Sequence, residues 1–232
     1  MKYLFLLLLS CPGFLFSQTD FEKAETLFRQ QKYAQSQVLF EKVLKASPGH
    51  LKTMEYLGDI NGIQKNWKSA LAYYRKLKQL QPNTADYVYK YGGVLGMIAK
   101  ESNKFKALGM IGEIRSSFEK AIKLDPKHID ARWALIELYL QLPGIVGGSE
   151  RKAIAYSDQL MKISPIDGYL AKGHIDEYFE RYTIAEQEYR KAIALGSSRV
   201  CYQKLADLYK NKMNQPEKAR LTLAEYNEKN KS

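Results

Sequence analysis

The stretch LKTMEYLGDINGIQKNWKSALAYYRKLKQLQP, residues 51–82, decides how the rest of the chain is read. Met54, Leu57 and Gly58 fall on one side of a first helix, and Ala70, Tyr74 and Leu77 on one side of a second, at the three-to-four-residue spacing of an α-helical stripe. Lys65-Asn66-Trp67 makes the turn between them, and Pro82 closes the unit because proline has no N–H with which to continue a helix. Gly58 and Ala70 are small where two antiparallel helices cross closely; Tyr74 and Leu77 are large where the gap to the next pair must be filled. The unit recurs. Pro48 and Pro82 stand 34 residues apart, and Pro126 and Pro165 follow after 44 and 39. A period of this size marks a repeat solenoid, here a 34-residue beat with two insertions.

Further copies can be read on both sides. Ala24, Leu27, Tyr33, Phe40 and Val43 precede Pro48; Gly92, Phe118 and Ala121 precede Pro126; Leu135, Tyr139, Ala153 and Leu160 precede Pro165. Gly173, Tyr182, Ala185, Tyr189 and Ala192 make a fifth copy, and Leu205, Ala206, Tyr209, Ala219, Leu223 and Tyr226 a looser sixth over 199–230. A large residue, Leu-Gly, a small Ala, an aromatic and a terminal Pro resemble the tetratricopeptide repeat, and the resemblance covers nearly all of residues 18–232. It implies an all-α fold, a right-handed α-solenoid of about six helix-turn-helix repeats, two with insertions. It also implies a non-enzymatic protein–protein interaction or scaffold module.

The two insertions fall between the first and second helix of their repeats. In the third repeat about ten extra residues lie between Ile98 and Ile114, where Ser102 is expected to cap a lengthened second helix carrying Phe105, Leu108, Ile111, Ile114 and Phe118. In the fourth, five extra residues lie in Leu142-Pro143-Gly144-Ile145-Val146-Gly147-Gly148-Ser149. Turns of this kind share one edge of a stack. The expectation is that Phe105, Leu108 and Ile111 rest against Ile145 and Val146; the rival reading makes Phe105, Ile145 and Val146 a partner-binding edge.

The N-terminus reads as a secretory leader over residues 1–17: Lys2, the short apolar run Tyr3–Leu9, and Leu15-Phe16-Ser17 as a cleavage site. The mature chain, residues 18–232, is then periplasmic or secreted. Leu8-Leu9-Ser10-Cys11 supports an alternative, a bacterial lipoprotein anchored through Cys11, which would bring membrane contact. Loss of Lys2 reduces the net charge of +11 by one, a balance that favours anionic partners without naming one. Export argues against nucleic acid. Cys201 alone survives cleavage, so no intramolecular disulfide staples the fold; it reads as a small buried hydrophobe.

No constellation supports catalysis, and neither a metal nor a cofactor is implied. His50, His128 and His174 sit in different repeats with no i,i+4 pairing, and the first two follow prolines, as polar turn residues do. Ser117-x-x-Lys120 has the spacing of a serine–lysine pair but lacks companion motifs, so it reads as a helix face. The Gly-rich segment 143–149, with Ser149 as N-cap, reads as a structural turn, a partner-binding loop or an anion cradle; no Gly-Lys-Ser/Thr follows it.

In tetratricopeptide-repeat proteins the first helices line an inner groove that holds extended peptides or partner helices. The resemblance carries this role to Lys52, Glu55 and Asp59, to Asp86, Tyr89 and Gly93, to Asp130, Trp133 and Glu137, and to Phe21 and Glu25, with His174 or Glu177 near the fifth repeat. This wall is acidic and aromatic in a basic chain, which implies a protein or peptide partner with a basic or aromatic segment; plain solvation of helix faces is the alternative. Excess cations such as Lys42, Lys45, Arg75, Lys76, Lys78, Lys120, Lys123, Arg190 and Lys191 belong to the second helices. A second functional reading is therefore an envelope- or membrane-surface adaptor that binds anionic lipid or polymer through its basic convex face.

Overall fold

The computed structural model describes residues 13–230, with side chains from Asp20 onward. The described residues form twelve α-helices and no strand: α1 Gly13–Arg29, α2 Tyr33–Ala46, α3 Leu51–Ile63, α4 Trp67–Leu80, α5 Ala85–Glu101, α6 Lys104–Leu124, α7 Ile129–Gln141, α8 Glu150–Ile163, α9 Pro165–Tyr178, α10 Tyr182–Leu195, α11 Arg199–Asn211 and α12 Pro216–Lys229. Odd and even helices pair as hairpins that stack side by side. Of the expected leader, residues 1–12, including Cys11, lie outside the described residues, and Gly13–Ser17 open α1.

Five of the six hairpins are built on a small-against-large pair sixteen residues apart, plus any insertion. Ala24 stands at the register of Phe40, Gly58 of Tyr74, Gly92 of Phe118 and Gly173 of Tyr189, and the four aromatic rings are buried. The glycines have no alternative. A Cβ on Gly58 would lie 2.8 Å from the Tyr74 ring, and one on Gly173 2.5 Å from the Tyr189 ring, well inside van der Waals contact. The fourth repeat reverses the pair, with Ile136 on the first helix and Ser157 on the second, both fully buried.

Four repeats turn from first to second helix in the same way. Gln31, Lys65, Glu180 and Asn214 adopt left-handed φ of 53–60°. In three of these turns the next N–H donates five residues back, from Lys32 to Leu27, Asn66 to Asn61 and Arg181 to Asp176, a helix C-terminus that usually prefers glycine.

The third and fourth repeats lack this turn. In the third, the extra residues lengthen both helices rather than forming a loop: α5 and α6 have 17 and 21 residues, against 13 and 14 for α3 and α4. The hairpin therefore projects roughly 10 Å past its neighbours at 1.5 Å per residue. Ser102 ends α5, and it is Asn103 that caps α6, accepting from Lys106 N at 3.0 Å. In the fourth, Gly144–Val146 form a single 3₁₀ turn and Ser149 caps α8 as expected. Gly147 has φ +104°, and a Cβ on Gly148 would collide with Leu142 O at 1.7 Å. The N–H groups of Val146, Gly147, Gly148 and Ser149 all donate to backbone carbonyls of the same loop and of Tyr139, which leaves them no capacity to cradle an anion.

The insertions do not plug each other. Phe105 and Ile145 are 89% and 95% exposed, the two most exposed large apolar side chains among the described residues. Lengthening carried Phe105 out along the hairpin axis, whereas Gly147 of the five-residue turn lies beside Arg115.

The joint between fourth and fifth repeats is a single residue. Ser164 ends α8 and caps α9, while Pro165 is the first residue of α9 and so opens the next unit rather than closing the last. The helices approach so closely that a Cβ on Gly168 would lie 2.5 Å from Met161 Cα.

Candidate partner-binding surface

The first helices face one another across neighbouring repeats, and their polar residues tie those repeats together. Tyr56 donates to Glu25 Oε1 at 2.8 Å, linking the first two repeats. Lys90 Nζ bridges Glu55 Oε1 at 2.9 Å and Asp59 Oδ2 at 3.0 Å, linking the second and third; Asp59 also accepts from Tyr74. Burial opposes the Lys90 charge, yet Asp59 and Glu55 outweigh it and hold the ammonium above its ordinary pKa. Burial likewise opposes the Glu55 charge, and Lys90 and Lys52 still hold it below the usual carboxylate range. Two of the expected acidic groove residues therefore already have an internal cation.

The other expected residues divide in the same manner. Asp86 lies 3.3 Å from His128 Nε2, and His128 Nδ1 accepts from Ala131 N as the cap of α7. Tyr89 packs on Phe118 and His128 with ring centroids 5.8 and 4.9 Å away. Trp133 turns toward α9, its indole N–H donating to Asp167 Oδ1 at 3.1 Å, and its ring joins two core clusters. Glu137 Oε1 sits 2.5 Å from His174 Nε2, a contact that holds Glu137 below the carboxylate range against the effect of burial. Asp130 is exposed. His50 and His128 prove to be helix caps. Ser117 Oγ is buried and donates to Glu113 O, away from exposed Lys120. Cys201 is fully buried.

One part of the wall is open. Between α5 and α7, over α6, lies a cleft of about 340 Å³ walled by Gly93, Gly96, Met97, Ala134 and Leu138 and floored by Ile111, Ile114 and Phe118. Lys100, Glu137 and Gln141 stand at one end of it. Of the residues assigned to the groove from sequence, Gly93 and Glu137 line it. The remaining lining residues escaped that reading, although the small-residue run Gly92-Gly93-x-x-Gly96 was the visible signal. Small residues keep the helices from filling the gap, and a Cβ at Gly93 would meet nothing within 4 Å.

Residues 21–85 match the family model of the tetratricopeptide repeat. No curated protein matches the chain. Among solved structures, it is similar to a thermophilic tetratricopeptide-repeat protein of Thermus thermophilus, with TM-score 0.66 and 16% identity over 88% of this chain and 99% of that one. It is also similar to PilW, described as a type IV pilus biogenesis factor, with TM-score 0.65 and 16% identity over 91% and 92%. YrrB, a tetratricopeptide-repeat protein described as having an unusual peptide-binding site, aligns with TM-score 0.52 and 16% identity over 78% and 87%. Proteins of this repeat class bind protein and peptide partners and are generally non-enzymatic. Residues 21–85 thus match the tetratricopeptide repeat in sequence, and the twelve stacked helices of the described residues share the fold of tetratricopeptide-repeat structures.

Proposed function

We propose that the protein is a scaffold that holds an extended segment of a partner protein in the cleft between α5 and α7. The observation that carries this reading is the cleft itself, an apolar trough on an otherwise cross-linked wall. Its size suits one or two large apolar side chains. The trough also has polarity. Asp86 and Asp130 stand at the helix starts at one end, and Lys100 at the other, where the neighbouring Glu137 is already engaged by His174. A fitting segment carries a basic residue, then an apolar anchor, then an acidic group, spanning about six residues in extended form. Tyr89 flanks the acidic end. Glu55, Asp59 and Trp133 contribute indirectly, by fixing the repeats on either side. The scaffold works outside the cytoplasm, where the export segment read at residues 1–17 would send it.

The test is to fill the trough. Gly93→Leu places a side chain in open space and removes a helix glycine, so stability should rise by about 0.5–1 kcal/mol. Peptides selected from a random library on the wild-type protein should carry a large apolar residue and should lose at least about tenfold in affinity for the variant. Peptides that bind Gly93→Leu as well as wild type would overturn the proposal.

A further inference from the structure

We propose that the edge carrying the first-to-second-helix turns docks on an anionic lipid bilayer, with Phe105 and Ile145 entering the interface. The two most exposed large apolar side chains among the described residues lie on this one edge, at the tips of the two insertions. Phe105 stands on a hairpin that projects past its neighbours, between exposed Lys104 and Lys106. Ile145 stands on the next turn, ahead of exposed Arg151 and Lys152. Ile63, 49% exposed, ends the first helix of the second repeat on the same edge, next to Lys65.

Charge on this edge is mainly positive around the two tips, and the exposed Glu180 lies away from them on the fifth-repeat turn. Glu101 accepts from the Trp67 indole at 2.6 Å, and Glu150 pairs with Arg181 at 2.6 Å. Beside the Phe105 tip an open hollow of about 660 Å³ is lined by three cations, Lys65, Lys68 and Lys106, against one acid, Glu101, together with Trp67 and Ser69. That lining suits phosphate headgroups around an apolar tip.

The shape favours a bilayer over a protein. The apolar tips are convex and separated by lysines, so they form no contiguous patch of the kind a protein hot spot desolvates. A fluid interface accepts each tip separately and gains from every nearby cation. No described helix is long and apolar enough to cross a membrane. This edge differs from the convex second-helix face that carries Lys120 and Lys123, and it leaves the α5–α7 cleft free. The docking proposal and the peptide proposal therefore fail independently.

The experiment is co-sedimentation of the full chain with vesicles of phosphatidylcholine alone and with about 30% phosphatidylglycerol, from about 0.05 to 0.5 M salt. Binding should require the anionic lipid and weaken with salt. Phe105→Asp should lower partitioning by about tenfold, and Ile145→Asp by several-fold. Unchanged melting temperatures are expected, because both side chains are exposed. Lys104→Glu with Lys106→Glu should abolish binding at the higher salt, and Lys120→Glu with Lys123→Glu should leave it intact. Absence of wild-type binding to anionic vesicles overturns the proposal. So does a Phe105→Asp variant that binds like wild type, or a loss caused equally by the Lys120 and Lys123 reversals. A wild-type dimer in solution that Phe105→Asp dissolves also overturns it, since the tip then belongs to a second copy of the chain.

Discussion

The outer repeats and the middle two solve the same packing problem differently. In the first, second, fifth and sixth, a left-handed residue closes a short turn at the same register, at Gln31, Lys65, Glu180 and Asn214. In the third and fourth the turn is replaced, once by longer helices and once by a glycine-dependent loop. The surface features proposed above to hold a ligand, the α5–α7 cleft and the exposed Phe105 and Ile145, belong to the irregular pair. The regular repeats expose apolar side chains too, Val38 and Val200 among them, but none as fully as Phe105 and Ile145. The difference teaches that in a stack whose repeats bury against one another, new surface enters where the period is broken.

The largest expected effect tests the regular side. Gly173→Leu should cost about 3 kcal/mol in urea unfolding, because the new side chain must displace the Tyr189 ring; a loss under about 0.5 kcal/mol would show that the close helix crossing is not what fixes these repeats. Next come the seams between regular and irregular parts. Lys90→Met should cost about 2 kcal/mol by leaving Asp59 without its cation and Glu55 with Lys52 alone. Its partner effect is a rise in the Glu55 pKa toward the ordinary range, readable by NMR titration.

At the other seam the effect is one of pH. The folded pKa of Glu137 is depressed, so its contribution is full above the ordinary value of 4.5 and is lost as pH falls through the folded value. Glu137→Gln should therefore be less stable than wild type at pH 7, and the gap should close as pH drops below 4.5. A constant gap would mean that the contact with His174 is not what sets it. The smallest expected effect returns to the turns. Lys65→Gly should stabilise by about 0.5 kcal/mol, since relief of the left-handed strain slightly exceeds the added unfolded-state freedom. The same change at Asn103, which sits in extended backbone with φ −64° and caps α6, should instead destabilise.

The repeat architecture was legible because it rests on local size. Gly58 with Tyr74 and Gly173 with Tyr189 announce helix crossings through residue volume alone, and the prolines keep time. The internal pairing of the groove carboxylates was not legible. Lys90 reaches Glu55 and Asp59 from 35 and 31 residues away, and nothing local distinguishes it from a solvated lysine. The left-handed turns were hidden because their residues are Gln, Lys, Glu and Asn rather than glycine. The insertion of the third repeat was located but misread, since Ser102 and Asn103 are both good caps and only the helix ends decide between them. The cleft needed three helices to be placed before its glycines acquired meaning.

The one-residue joint at Ser164 has a mechanical meaning. A single residue between two helices allows almost no change in their angle, and the crowding of Gly168 against Met161 blocks the little that remains. The fourth and fifth repeats must then swing as one stiff beam. Between the third and fourth repeats four residues make the connection, as they do between the first three, but here the first helices stand apart over the trough. When the coil is stretched or squeezed along its length, the strain concentrates there. The trough between α5 and α7 is then the soft coil of the spring: a segment seated in it would set the pitch of the whole superhelix, and a pull on the superhelix would loosen the seat.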